Sequence, residues 1–118
     1  MKPFLLKADL TQVLLIDMQE KLFPAIHDTT HLLKQAQFLL SACSILGVPD
    51  KYTEHYPKGL GATLPELSDR LPEGSSRFEK IHFSCWAETG FNTFFHREGR
   101  SQVILAGSEA HTCVFSTA

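Results

Sequence analysis

Residues 12–17 read Gln-Val-Leu-Leu-Ile-Asp (QVLLID), with four apolar side chains in an unbroken run at 13–16. A strand with one face in water alternates between apolar and polar residues, so this run predicts a strand that is buried on both faces. Residues 102–107 (QVILAG) repeat the pattern. Both segments are typical of a parallel sheet that helices cover on each side.

The segments between these two strands predict helices and two further strands. Thr30–Leu46 carries apolar residues at helical spacing and is followed by Gly47, a common helix stop. The other candidates are an amphipathic helix at Glu88–Glu98, a short helical turn at Leu64–Leu71, and weaker strands near Val48–Thr53 and Phe78–Ser84. The first of these strands carries Pro49, Asp50 and Lys51, which are poorly suited to a sheet interior. The alternation predicts an α/β fold, a Rossmann-like parallel sheet with helices on both faces.

The composition predicts one globular domain spanning residues 1–118. The chain has 118 residues, 43% of them hydrophobic, which is enough for a single hydrophobic core. A formal charge of -2 with dispersed basic residues predicts no nucleic-acid partner. No apolar run approaches the roughly 18 residues that span a bilayer. The N-terminal apolar stretch is broken by Lys7, Asp9 and Thr11, so we expect a cytoplasmic protein.

Three residues with chemically useful side chains lie at or near the ends of predicted strands. Asp17 ends the first strand, and Cys113 follows the strand at 102–107 by a short connection. In a parallel sheet, these two residues share the carboxyl edge. Lys80 lies in the weaker strand and joins them only if that strand enters beside the first one.

Cys113 is the cysteine whose sequence neighbours suggest chemistry. Cys43 lies in an apolar helical pattern, Cys85 has no neighbour that marks it as reactive, and three cysteines without a framework spacing argue against a disulfide scaffold. An ordinary thiol is mostly protonated at neutral pH, and its thiolate is the nucleophile. A nearby aspartate acting as base, a lysine ammonium and a helix N-terminus each favour the thiolate. Asp17 and Lys80 are the candidates for the first two roles.

The sequence resembles the isochorismatase-like cysteine hydrolases in four runs with the same order and spacing: LLIDMQEKLF, TEHYPKGLG, FEKIHFSCW and VILAGSEAHTCVFSTA. The resemblance covers nearly the whole chain. It is strongest for bacterial members without assigned substrates and extends more distantly to nicotinamidases. It implies a catalytic triad of Asp17, Lys80 and Cys113. It also implies an oxyanion hole formed by the backbone amides of Glu109 and Cys113, oriented by a cis peptide bond between Ser108 and Glu109.

The resemblance implies a hydrolase that acts on a small-molecule substrate with an amide-like C–N bond. Cys113 would attack the carbonyl carbon and form a thioester, which water then hydrolyses. The candidate substrate-pocket residues are His55, Tyr56 and Trp86. Two alternatives stay open. One is a non-catalytic family member that acts in oligomerisation or binding, and the other is a peroxide sensor in which Cys85 resolves oxidised Cys113.

The sequence predicts no metal and no other cofactor. Nicotinamidases of this family bind zinc through an aspartate and histidines, the first of which follow the second strand. Where that motif supplies an aspartate and a histidine, this sequence has His55 and Pro57. Proline has no ligating side chain, so this zinc site is not supported. His55 is then available to face the mouth of the site.

The sequence ends at Ala118, early in the helix that we expect to begin near Cys113. Members of the family continue beyond this point with further strand–helix units. The resemblance therefore implies a domain that is incomplete at its C-terminal side. The strand at 102–107 would then be a sheet edge with uncovered apolar faces. We therefore expect either that the chain is a fragment or truncated product, or that another chain covers the strand in a homo-oligomer.

Overall fold

The computed structural model describes residues 5–26, 28–71, 76–108 and 113–118. The strands are β1 (Thr11–Ile16), β2 (Asp50–His55), β3 (Ser76–Lys80) and β4 (Gln102–Gly107). The helices are α1 (Thr29–Leu46), α2 (Pro57–Leu60), α3 (Pro65–Ser68), α4 (Phe91–Phe95) and α5 (Phe115–Thr117), with short 3-10 helices at Phe23–Ala25 and Cys85–Ala87. Within these ranges, every helix is too short or too polar to cross a bilayer.

All four strands run parallel, in the order β3-β2-β1-β4. Ile16 at the end of β1 pairs with Thr53 of β2 and with Gly107 of β4, while His55 pairs with Lys80 at the end of β3. This register aligns the carboxyl ends of the strands along one edge, where ligands bind in folds of this type. The predicted Rossmann-like parallel sheet is confirmed, and β4 lies at the edge of the described sheet as expected.

The side chains of β1 alternate between two hydrophobic layers, because successive residues of a strand point to opposite faces. The layer on the α1 side contains the buried residues Leu15, Met18, Phe23, Ala36, Leu40 and Leu67. The layer on the α4 side contains the buried residues Leu14, Ile16, Cys85, Phe91, Phe94 and Cys113. Full burial of one such aliphatic or aromatic side chain contributes roughly 1.5–3 kcal/mol. Burial on both faces therefore explains the unbroken apolar run of β1.

Helix α1 ends where the sequence predicts. Gly47 adopts the left-handed conformation with a φ of 70°, and its N–H donates to the carbonyls of Cys43 and Ser44. Glycine takes this conformation without the penalty that a Cβ imposes, which is why it is common just after helices. The helix begins at Thr29, one residue before the predicted start.

Helix α4 is shorter than the predicted helix at Glu88–Glu98. Gly90 has a φ of 88° and precedes the helix, and the residues before it form the 3-10 helix Cys85–Ala87. The chain therefore enters α4 through a turn. Of the predicted helix at Glu88–Glu98, only Phe91–Phe95 is α-helical. Phe91 and Phe94 still face the core, as the apolar spacing requires.

Strand β2 corrects the expectation that Asp50 and Lys51 are unsuited to a sheet interior, since both side chains are buried. Lys51 Nζ donates to the carbonyl oxygens of Phe94 (2.7 Å) and Phe95 (2.8 Å) and lies 2.5 Å from Glu98 Oε2. The lysine is accommodated because the C-terminal end of α4 supplies acceptors and Glu98, which follows the helix, supplies a counter-charge. Neither carboxylate oxygen of Asp50 has a hydrogen-bond partner among the described residues, and burial raises the pKa of Asp50 to about 6.

Strand β3 stops at Lys80, whereas the sequence predicts extended chain up to Ser84. The Glu88 carboxylate accepts hydrogen bonds from the backbone N–H groups of Ile81 (2.6 Å) and His82 (3.0 Å). These bonds occupy the donors that a longer strand would use for pairing, and the chain bends after Lys80. The bend brings the residues that follow β3 over the end of the sheet.

Candidate active site

Asp17 lies directly after β1 in a strained backbone conformation. Its φ is 53°, a value that costs a residue other than glycine roughly 1–3 kcal/mol. Its N–H donates to the Thr53 carbonyl (3.2 Å), and its Oδ1 accepts a hydrogen bond from the Thr53 hydroxyl (2.7 Å). These two bonds to β2 hold the fully buried carboxylate at the carboxyl edge of the sheet.

Lys80 reaches Asp17 from a strand that is not adjacent to β1. From the sequence, Lys80 was expected to join Asp17 only if its strand lay beside β1, but β3 pairs with β2 instead. Lys80 Nζ nevertheless lies 2.8 Å from Asp17 Oδ2, and both side chains are fully buried. In the register Lys80 pairs with His55 at the end of β2, and the Thr53 hydroxyl of the same strand binds the other carboxylate oxygen of Asp17.

Backbone carbonyls complete the surroundings of the ammonium group. Lys80 Nζ donates to the carbonyl oxygens of His82 (2.8 Å) and Phe83 (3.2 Å), which belong to the bend after β3. Asp17 Oδ2 receives no hydrogen bond with good geometry from the described residues, so charge alone holds it against the lysine. A buried ion pair with such hydrogen bonds fixes a geometry more than it stabilises the fold.

Cys113 lies beside this ion pair. The residue is buried in the layer on the α4 side. Its Sγ, a carboxylate oxygen of Asp17 and a ring nitrogen of His55 all lie within 4.8 Å of one another. The structure therefore brings together the three residues of the predicted triad, which come from three different strand ends.

His55 is the fourth side chain at this point. Its Nδ1 lies 3.3 Å from Lys80 Nζ, and its ring stacks on Phe83 with centroids 5.9 Å apart. Because an ammonium group only donates, Nδ1 can take part in this contact only as the acceptor. Of the three predicted pocket residues, His55 is the one that contacts the ion pair.

Gln19 fixes the backbone of His55. Its Nε2 donates to the carbonyl oxygens of His55 (3.0 Å) and Gly61 (2.7 Å), and its Oε1 accepts from the His55 N–H (2.7 Å). Sequence reasoning missed both Gln19 and Thr53. The signal that could have identified Gln19 was its position, two residues after the strand-end aspartate. A polar residue there is more simply interpreted as part of a solvated turn.

Tyr56 lies just outside this cluster. It is exposed, has a φ of 40°, and lines a cavity of about 390 Å³. The other lining residues of this cavity are Pro57, Lys58, Glu79, Lys80, Ile81 and Glu88. The cavity is therefore next to the ion pair, on the side of the β2–α2 connection.

Trp86 packs away from this cavity. Its ring makes edge contacts with Phe91 and Phe95, and its Nε1 donates to the carbonyl of Thr117 (2.8 Å). The Thr117 hydroxyl accepts from the N–H of Cys85 (3.1 Å). These bonds connect the segment after Lys80 with helix α5, which follows Cys113.

Cys85 is completely buried in the same layer as Cys113. Burial raises the pKa of its thiol, although the Thr117 hydroxyl and the charge of Lys80 act in the opposite direction. Cys43 lies in a separate cluster with Val13 and Val48, as its helical pattern predicts.

Two predictions for the site concern residues outside the described ranges. Glu109, one of the two predicted oxyanion-hole residues, is not described, and neither is the peptide bond that joins it to Ser108.

The nicotinamidase-type metal site finds no support, because Pro57 begins α2 and offers no ligand. The grouping of Asp17, His55 and Cys113 was missed, because residues so distant in sequence form no ligand spacing that a motif would reveal.

Comparison with known proteins gives a consistent result. The isochorismatase domain model matches residues 11–118. Isochorismatase domain-containing protein 2 of Danio rerio is 43% identical over 106 residues, which are 90% of this chain and 52% of that protein. The chain thus spans about half the length of this relative.

Solved structures share the fold. The MAR1 ribonuclease of Caenorhabditis elegans superposes with a TM-score of 0.85 at 34% identity, over 95% of this chain and 57% of that one. The YcaC gene product of Escherichia coli, an octameric hydrolase of unknown specificity, superposes with a TM-score of 0.85 at 24% identity. In that case the match covers 99% of this chain and 59% of the other.

Proposed function

The chain belongs to the isochorismatase family, and from that premise we propose that it is a hydrolase of small molecules with Cys113 as its nucleophile. The observation that carries the proposal is the buried Lys80–Asp17 pair, which lies against Cys113. A thiol next to a carboxylate and an ammonium group has both a proton acceptor and a stabilising charge for its thiolate.

The proposed reaction is the cleavage of an amide-like C–N bond. The Cys113 thiol gives its proton to Asp17, and the sulfur forms a bond to the carbonyl carbon of the substrate. The C–N bond then breaks, and the amine leaves with the proton that Asp17 returns. Water finally attacks the thioester, which releases the acid and restores the thiol.

Lys80 has two effects in this scheme. While Asp17 is ionised, the ammonium group pairs with it at 2.8 Å and holds it in place. Once Asp17 has taken the proton, the lysine charge is no longer balanced by the carboxylate, and it favours the neighbouring thiolate. The resemblance assigns the developing oxyanion to the backbone amides of Glu109 and Cys113, donors of a kind worth about 10²- to 10³-fold in rate.

The substrate is expected to be small. The triad side chains are buried, and the adjacent cavity of about 390 Å³ fits a small molecule better than a polymer. The nematode neighbour is named a ribonuclease. This chain has a net charge of -2, which does not favour attraction to a phosphate backbone, so RNA is not the proposed substrate.

The experiment is a screen of small primary amides for ammonia release, followed by mass spectrometry of the intact protein during turnover. A covalent acyl adduct on Cys113 is expected in the native protein. The adduct should disappear in Cys113→Ser and persist in Cys43→Ser, the matched control in the opposite layer. Amide hydrolysis that survives in Cys113→Ala would overturn the proposed nucleophile.

A homo-oligomer is part of the proposal. β4 is the edge strand of the described sheet, and next to it lies an apolar groove of about 250 Å³ that contains Leu39, Leu105 and Val114. The bacterial neighbour with this fold is octameric. Light scattering on the purified chain tests this part, and a monomer that melts cooperatively would contradict it.

Two alternatives make different predictions. A non-catalytic member acting in oligomerisation or binding would form the same assembly without an acyl adduct. A peroxide sensor would need Cys85 to attack oxidised Cys113. The raised pKa and complete burial of Cys85 disfavour that reaction, and a missing Cys85–Cys113 disulfide after mild peroxide treatment would exclude it.

A further inference from the structure

Three side chains at the carboxyl edge of the sheet have the chemistry of a metal site. One ligand atom from each of Asp17, His55 and Cys113 lies within 4.8 Å of the other two. A carboxylate, an imidazole and a thiolate are all zinc ligands, and the thiolate selects zinc and other thiophilic cations over magnesium and calcium. In the nicotinamidase motif, His55 takes the position of the aspartate and Pro57 that of the histidine, so the set proposed here differs from that site by its use of Asp17 and Cys113.

The spacing is close to what a tetrahedral ion requires. Zinc binds sulfur at about 2.3 Å and nitrogen or oxygen at about 2.0–2.2 Å, which places ligand atoms about 3.5 Å apart. The three ligand atoms, within 4.8 Å of one another, would have to close by up to about 1.3 Å, a movement within reach of side-chain rotation. Three protein ligands leave a fourth position open for water.

Two of the three ligands are already oriented. The Thr53 hydroxyl holds Asp17 Oδ1, while Oδ2 is without a well-formed hydrogen bond from the described residues. Gln19 holds the backbone of His55 on both its N–H and its carbonyl. Partners of this kind orient metal ligands, and their loss weakens metal affinity by about 10- to 100-fold.

The fold already places a cation at this point. Lys80 Nζ lies 2.8 Å from Asp17 Oδ2 and 3.3 Å from His55 Nδ1, so the ammonium group contacts two of the three ligands. A divalent ion at the same ligands would meet this charge at short range. Metal and ammonium are therefore competitors for one position.

We propose that Asp17, His55 and Cys113 form a binding site for a thiophilic divalent cation of the zinc class. The ammonium group of Lys80 competes with this ion for the site. When the ion binds, the Cys113 thiol releases its proton to solvent, a metal–sulfur bond forms, and the Lys80–Asp17 contact breaks. The ion therefore blocks the nucleophile rather than serving it. The site does not depend on the proposed hydrolysis, since its ligands bind with or without a substrate.

The first experiment is titration of the protein with cobalt(II), whose bond to a thiolate gives a near-ultraviolet charge-transfer band. The band is expected in the native chain and in Cys43→Ser, and it should be absent in Cys113→Ser. His55→Gln should weaken cobalt binding. A band that persists in Cys113→Ser, or no band in the native chain, would overturn the proposal.

The second experiment uses Lys80→Met, which removes the competing charge. We expect cobalt to bind about tenfold more tightly to this variant, because a like charge no longer faces the ion. Lys34→Met removes an exposed lysine of α1, outside the site and the cavity, and should leave the affinity unchanged. A merely structural role for Lys80 predicts weaker binding in the less stable variant, so the two explanations differ in sign.

The cobalt spectra of Cys113→Ser and His55→Gln decide the proposal even if Lys80→Met does not fold alone. In that case cobalt or zinc should restore the melting transition of Lys80→Met, because the ion replaces the missing positive charge beside Asp17. Failure of both metals to do so would contradict the competition.

Discussion

Lys80 Nζ lies 2.8 Å from Asp17 Oδ2, although β2 separates the strands that carry the two residues. Both side chains are fully buried, so water cannot solvate either charge when the other is removed. The contact also joins β1 to β3, an edge strand of the described sheet, across β2. This geometry makes the ion pair the most informative position for mutation.

Lys80→Met is expected to lower the free energy of unfolding by about 3–5 kcal/mol, because it leaves the Asp17 carboxylate buried and uncompensated. The double variant Asp17→Asn/Lys80→Met should recover part of this loss, since no charge then remains in the site. Urea denaturation of the three proteins measures the effect. A double variant less stable than Lys80→Met alone would show that the charge is not the cause.

Iodoacetamide should label Cys113 faster than Cys43. The two thiols are almost equally buried, at 5% and 4% exposure, so access alone does not separate them. Burial, and after it the charge of Asp50, raises the pKa of Cys43, whereas Cys113 lies next to the Lys80–Asp17 pair. Peptide mass spectrometry at short reaction times gives both rates. Equal rates in the folded protein would argue against activation of Cys113.

Asp50 should make the protein less stable as the pH rises from about 4 to about 6. Burial raises its pKa in the folded state to about 6, above the ordinary value of 3.8, so the folded state binds the proton more tightly than the unfolded state. That contribution is fully present below the ordinary pKa and is lost as the pH rises through about 6. Asp50→Asn should remove this pH dependence and be more stable than the native chain at neutral pH. Asp69→Asn, at an exposed position, is the control, and urea midpoints across this range measure the difference.

Lys51→Met should destabilise the fold despite the similar shape of the two side chains. The substitution leaves the carbonyls of Phe94 and Phe95 and the Glu98 carboxylate without their shared donor. A buried acceptor that loses its partner costs roughly 1–3 kcal/mol. Thermal melting tests this prediction, with Lys34→Met on the exposed surface of α1 as the control. An unchanged melting temperature would mean that water reaches these carbonyls.

The sequence predicts the parts of the fold that depend on periodicity. The apolar runs at 13–16 and 102–107 and the helical spacing before Gly47 are local signals, and β1, β4 and α1 follow them. β2 was harder to predict, because Asp50 and Lys51 are charged. Lys51 is tolerated because two carbonyls of α4 and the carboxylate of Glu98, all from a distant part of the chain, surround its ammonium group.

The same distinction applies to the site. Asp17, Lys80 and Cys113 stand out in motifs, so their proximity was expected. The position of His55 was harder to anticipate. It depends on the hydrogen bonds of Gln19 to the N–H and the carbonyl of His55, and on the contact with the Lys80 ammonium group. Contacts of this kind depend on register and on side-chain conformation, which no sequence spacing records.

The hydrogen bond from Trp86 to Thr117 makes the fluorescence of Trp86 a natural probe of this part of the molecule. Trp86 is the one tryptophan of the sequence, and it connects the segment after Lys80 with the helix that follows Cys113. Any event that moves one of these segments relative to the other changes the polarity around a single indole ring. Its emission therefore gives a label-free signal for acylation of Cys113, for metal binding or for the assembly of chains, without an introduced dye.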